Sequence, residues 1–332
     1  VGTSTAGVLV ATFDHRQTSA ADLPNVIDVQ TSRSTDGGLT WSAPAIVAAH
    51  TGGNTTATAI GRGDACLTYN NATGRIFCHY ILSPVGVGLA ASDNTTANGS
   101  TTTLNCCYRY SDDGGVTWSA EVNFTSTVKT SAMLGTSATS GHGFCDASGT
   151  VYVPYCYTDS GGARHDFVMS SADNGTTWVR SSIINSGVDE HHVVQRSDGT
   201  WLSDGRPVAQ TSRQLYSATT VGGTWSGPIT VVGLPDPKCN GDILRVSTDS
   251  TSPYATWLLS SACASTANRG ALTVWLSKDN GVTWPVAWQV YPGGAAYSSM
   301  AVLPDGTFAI FWEDTDHVAL SVTTFSLLAL AY

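Results

Sequence analysis

Three glutamates stand out in a chain of 332 residues of which only 12% are charged. Glu121 follows a turn in WSAEVNF, where a sheet-edge filler is expected, and reads as a surface residue. Glu190 and Glu313 lie in the strand-like stretches DEHHVVQ and FAIFWED, read as apolar contexts. A carboxylate there is costly unless it is partnered or put to acid–base use. Sixteen residues after Glu190, across a strand-turn-strand pattern, comes Arg206. The eight cysteines show no CxxC spacing and HExxH is absent, so disulfides are the first reading and neither a metal nor a cofactor is expected. Cys239 and Cys263 flank one strand pair at mirrored positions, and Cys66 and Cys78 flank another; both are expected to be bridged.

Charge narrows the partners. A formal net charge of −10 gives no basic face for a phosphate backbone, so nucleic acid is not an expected partner. A small anionic substrate would have to be held by a few local arginines. No apolar run is long enough for a membrane span. Six sequons, at Asn54, Asn71, Asn94, Asn98, Asn123 and Asn174, together with the cysteines, point to a secreted, extracellular eukaryotic glycoprotein, read as a mature or trimmed product because no leader is present.

The elements that must position these residues are strands. Runs such as GVLVATF, RIFCHYI, TVYVPYCY, ALTVWLS and FAIFWED read as strands of alternating pattern, separated by Gly, Asn and Asp turns, with almost no helix expected. An eight-residue turn recurs as STDGGLTW from Ser34, SDDGGVTW from Ser111, SADNGTTW from Ser171 and SKDNGVTW from Ser277, with a degenerate copy, SATTVGGTW, from Ser217. The unit of roughly 50 to 60 residues divides the chain into about six. Repeated four-stranded units close radially, which predicts an all-β, six-bladed β-propeller. In each turn Ser and Asp can bond backbone amides, Gly supplies a positive φ, and Trp is expected to pack the hairpin onto its blade. Copies on several blades cannot share one site, so the turns are staples and the chemistry must come from residues that occur once.

These turns resemble the Asp boxes of the sialidase superfamily, and the resemblance extends over nearly the whole chain, 1–332, as a single catalytic propeller. DEHHVVQRSDGTWLSDGR resembles the segment in which a catalytic glutamate precedes the second arginine of a carboxylate-binding triad, which implies Glu190 and Arg206. NRGALTVWLSKDNGVTWPVAWQVYPGGAAYSSM resembles the third arginine, an Asp box and the nucleophilic tyrosine, which implies Arg269 and Tyr297. ADLPNVIDVQTSRSTDGG resembles the loop carrying the catalytic aspartate, which implies Asp22. The family's first arginine belongs to an Arg-Ile-Pro motif that is absent here; it is expected upstream of Val1, on a first strand cut short, because Glu313 resembles the position that orients it.

The resemblance implies a secreted exo-sialidase that hydrolyses terminal α-ketosidically linked sialic acid, or a related 3-deoxy-2-ulosonic acid such as Kdn, with retention and without cofactor or metal. The physics agrees. A carboxylate nucleophile would be repelled by the carboxylate on the sugar's anomeric carbon, whereas a phenol would not. With a reference pKa near 10, Tyr297 needs a base, and Glu190 is the candidate. Sialidases are a known exception to the two-carboxylate pattern of glycosidases. Asp22 would serve as acid and then base, and Arg206 and Arg269 would clamp the substrate. Two other readings remain: an exo-arabinanase drawing two carboxylates from Asp22, Glu190 and Asp242, and a glycan-binding propeller without activity.

Overall fold

The computed structural model describes residues 2–5, 7–209, 211–229, 231, 233–314 and 319–330. Among them are six antiparallel-based sheets arranged as blades around one axis. The first blade is ordered Gly2–Thr5, Val8–Arg16, Ile27–Ser34, Ala45–Ala48, and the sixth, Ala295–Val302, Phe308–Asp314, Leu320–Phe325, packs against it and closes the ring. Among the described residues helix is confined to Thr125–Val128 and two short 3-10 turns.

The expected alternation holds only at blade edges. Val286–Tyr291 alternates between half-buried and exposed positions, whereas Ile76–Ser83 and Leu272–Ser277 are buried on nearly every residue. A middle strand has a neighbouring blade on each face, so both its faces are apolar. This is why RIFCHYI and ALTVWLS read as near-continuous hydrophobic runs.

The Asp boxes form the expected turns. Ser34 Oγ donates to Asp36 Oδ1 at 2.7 Å and accepts from Gly38 N at 2.8 Å, while Asp36 accepts from Thr40 N at 2.9 Å. The same bonds recur around Asp113, Asp173 and Asp279. The tryptophans differ from expectation, because each bridges to the preceding blade rather than packing only on its own. Trp41 meets Phe311 of the sixth blade edge-on at 5.3 Å, and Trp178 meets Phe77 of the second at 5.6 Å. Trp284 packs in a cluster with Leu202 and Leu215 of the fourth blade. Even the degenerate copy, with Thr219 in place of the aspartate, places Trp225 against Val168 and Ile184 of the third blade.

One segment departs from simple blade order. After Thr136–Ala138, the inner strand of the third blade, the chain crosses to pair Gly141–His142 in parallel with Ala59–Tyr69 of the second, then returns as Phe144–Cys145 to the third. Gly141 has φ +138, and a Cβ there would sit 2.1 Å from the His192 ring, so only glycine lets the crossing pass this close. His142 is thereby brought to the axis beside the inner strands of the first and sixth blades.

Both expected disulfides are absent, and all eight cysteines are free thiols. For Cys66 and Cys78 the reason is register. Leu67, not Cys66, lies opposite Cys78, so the two thiols point to opposite faces of the sheet and enter different clusters. Cys239 and Cys263 do share one small cluster beneath Tyr297 and lie within hydrogen-bond contact of each other as unbridged thiols, with Cys263 Sγ also donating to Ala295 O at 3.1 Å.

Candidate active site

Backbone irregularities set up the site. Pairing slips between Val188 and His191, between Ala295 and Ser298, and between Gly63 and Cys66, all near the beginnings of inner strands or just within them. Such bulges re-aim side chains that a regular ladder would send into the blade. The three bulges carry Glu190, Tyr297 and Asp64. Asp64 takes φ +58, and its neighbour Gly63 passes so close to Asp14 that a Cβ would lie 2.9 Å from Asp14 Oδ2.

Glu190, Arg206 and Tyr297 converge. Tyr297 Oη donates to Glu190 Oε2 at 2.6 Å; Arg206 Nη1 donates to the same oxygen at 2.6 Å and to Tyr297 Oη at 2.7 Å. Arg269 stands over the Tyr297 ring, 5.4 Å from its centre, and is anchored by a bond to Lys238 O at 3.2 Å. Burial lifts the Glu190 carboxyl above its ordinary pKa in spite of Arg206. Burial, and then the Glu190 charge, push the Tyr297 phenol well above its own. The phenol keeps its proton at rest, and the base poised to take it is already in contact.

Asp22 lies apart from this trio. It is in the loop after Val8–Arg16, its side chain is 87% exposed, and its partner is Arg16, 2.8 Å away. Arg16 belongs to an acidic group that the sequence had not singled out. Asp14 accepts the backbone N–H of Asp64 at 3.1 Å. Burial lifts Asp14 to about 6 against the pull of Arg16. Asp64 is raised well above the usual range by burial, then by Asp14 and by Glu190, so this group reaches the trio. Glu313 acts on both Asp14 and Arg16, which places it at the same cleft.

Two carboxylates differ from expectation. Glu121 is not surface filler: it takes a forked bond from Arg62, at 2.7 and 3.1 Å, and another from Tyr80 Oη at 2.9 Å. Asp242 is fully buried, taken up by His142 at 2.9 Å, by Met300 N at 2.6 Å and by Ile243 N at 2.7 Å. Burial works against charge on both, yet each holds the other charged: His142 is raised and Asp242 lowered from their ordinary values. A sugar has no access to this carboxylate.

The BNR repeat-like domain model matches residues 8–310. The chain belongs to the sialidase superfamily. It is 33% identical over 314 residues to a sialidase of Micromonospora viridifaciens, covering 92% of this chain and 48% of that protein. It is 26% identical to a sialidase of Bacteroides fragilis, covering 94% and 59%. The Hadza microbial sialidase Hz136 superposes with a TM-score of 0.89 at 25% identity, over 99% of this chain and 65% of the other. This sialidase-superfamily chain therefore spans only about half to two thirds of the length of these relatives.

Proposed function

We propose that this propeller is the catalytic unit of an exo-sialidase that cleaves a terminal α-ketosidic sialic acid, or a related 3-deoxy-2-ulosonic acid, with retention. The observation that carries the reading is the 2.6 Å contact between Tyr297 Oη and Glu190, with Arg206 bonded to both. Tyr297 attacks the anomeric carbon as Glu190 takes its proton, so a neutral nucleophile approaches a carbon that bears a carboxylate. Arg206 and Arg269 hold that carboxylate. Asp22 protonates the leaving oxygen and later deprotonates water, for which its exposed place on the loop after Val8–Arg16 suits it. Glu313 supports the cleft from the Arg16 side. The arabinanase reading loses Asp242, which is sealed in the axis.

The test is incubation with fluorogenic sialoside, deaminated sialoside and arabinofuranoside, with the first-formed anomer followed by NMR. Release from either sialoside with the α-anomer appearing first is expected. Release from the arabinofuranoside alone, or the β-anomer first, would overturn the assignment.

Secretion belongs to the same reading and rests on the sequons. Asn54, Asn71, Asn94 and Asn98 are exposed. Asn123 is half-buried and its amide nitrogen already donates to Asn105 at 3.0 Å. Peptide mapping of the protein from its native source should find glycan on one or more of the first four and none on Asn123; unmodified peptides at all six would remove the support.

A further inference from the structure

A second cavity, of about 390 Å³, opens where the inner strands end rather than begin, walled by Val194, Leu244 to Thr248 and Met300 to Val302. Tyr297 lies three residues before Met300 and five before Val302, so at about 3.3 Å per residue the cavity wall begins roughly 10 Å and ends roughly 16 Å along the strand from Tyr297. His142, Asp242 and His192 fill the axis between them.

Arg245, the last residue of its strand, lines this cavity and is 9% exposed. Among the described residues every other arginine has a hydrogen-bond or carboxylate partner. Arg245 has none, and its Nε is buried without one. A guanidinium so largely removed from water, with no counter-charge beside it, is left short of partners unless something in the cavity supplies them. Burial, with no acidic neighbour acting on it, depresses its pKa.

We propose that this cavity binds a small sugar monocarboxylate of the uronic acid class, held by Arg245. One unpaired guanidinium and no other lysine or arginine in the lining match one negative charge, not the two of a phosphate. His142 also lines it, but its charge is already matched by Asp242. Thr248 offers a hydroxyl to a sugar's hydroxyls, Ser247, which accepts from Asp249 N, can still donate, and Ser4, which donates to Val302 O, can still accept, while Phe144, Tyr69 and Met300 offer apolar surface to its C–H face. The cavity is large enough for one monosaccharide. His142 in its wall contacts Asp242 at 2.9 Å, and Asp242 also accepts Met300 N from the strand bearing Tyr297, so the cavity lies two contacts from that strand's backbone.

The experiment is calorimetric titration of sodium glucuronate, glucose and inorganic phosphate into the wild-type chain, Arg245→Met and Arg269→Ala. Glucuronate is expected to bind the wild type and Arg269→Ala alike and to bind Arg245→Met about tenfold to a hundredfold more weakly, with glucose and phosphate weaker still. Equal binding to Arg245→Met, loss in Arg269→Ala, phosphate preferred over glucuronate, or no glucuronate binding at all would each overturn the proposal. Should Arg245→Met not fold, Arg245→Lys carries the test: it keeps the charge without the fork, so weaker binding supports the site and unchanged binding refutes it. Sialoside hydrolysis depends on other residues, so its failure leaves this result standing.

Discussion

The Asp-box rim and the proposed catalytic mouth are built on opposite principles. At the rim, bonds are local: Ser34 reaches Asp36 and Gly38, two and four residues away, and the pattern is repeated almost atom for atom on four blades. At the mouth nothing repeats. Tyr297 meets Glu190 across 107 residues and Arg206 across 91. The rim secures each hairpin independently of the others, whereas the mouth exists only once the ring has closed. Damage at the rim should therefore appear as lost stability with chemistry intact, and damage at the mouth as the reverse.

The largest effect expected is at the mouth. Tyr297→Phe should lower sialoside turnover by about a thousandfold while the thermal unfolding midpoint moves little, since one hydroxyl is removed. Full activity in a steady-state assay would break the comparison. Asp22→Ala should slow substrates with poor leaving groups by about a hundredfold and activated aryl sialosides much less, because only the former need protonation. Equal losses on both would deny Asp22 its role.

At the rim, Trp284→Ala should cost about 3–5 kcal/mol in chemical denaturation, because the ring is 6% exposed and seals the fourth blade against the fifth. The folded fraction should keep its KM. Asp14 lies between the two regimes. Its folded pKa of about 6 exceeds the unfolded value near 3.9, so its contribution is full below pH 4 and is lost as pH rises through 6. Asp14→Asn, which can still accept the Asp64 N–H, should match wild-type stability at pH 4 and exceed it by about 2 kcal/mol at pH 7.5. No gain at the higher pH would show that the fold does not raise this pKa. The smallest effect is expected from Asp113→Ala, about 1 kcal/mol in denaturation midpoint analysis with unchanged kcat, since its bonds are exposed and compete with water.

Legibility follows the same division. The propeller could be read because the staple that builds it is written in eight consecutive residues. Glu190, Arg206 and Tyr297 could be read because their order along the chain resembles a known pattern. Asp64 could not, since RGDACLTY looks like ordinary strand; the one local clue is glycine before aspartate inside an apolar run, which can mark a bulge. Glu121 was misread because its partner, Arg62, lies 59 residues away on another strand. The cysteine pairs failed for a related reason. Mirrored flanks around a turn do not fix register, and one residue of offset sends Cys66 and Cys78 to different faces.

The crossing at Gly141–His142 has a consequence for traffic. Ser140 O takes the side-chain amide of Asn240, and His142, Asp242 and His192 close the axis below it, so the ring is a cup and not a tube. Whatever enters at Tyr297 must leave by the same opening. A two-part substrate cleaved at the floor of a cup empties in a fixed order: the severed outer portion, nearest the opening, departs first, and only then can water reach, and the sugar vacate, the bottom.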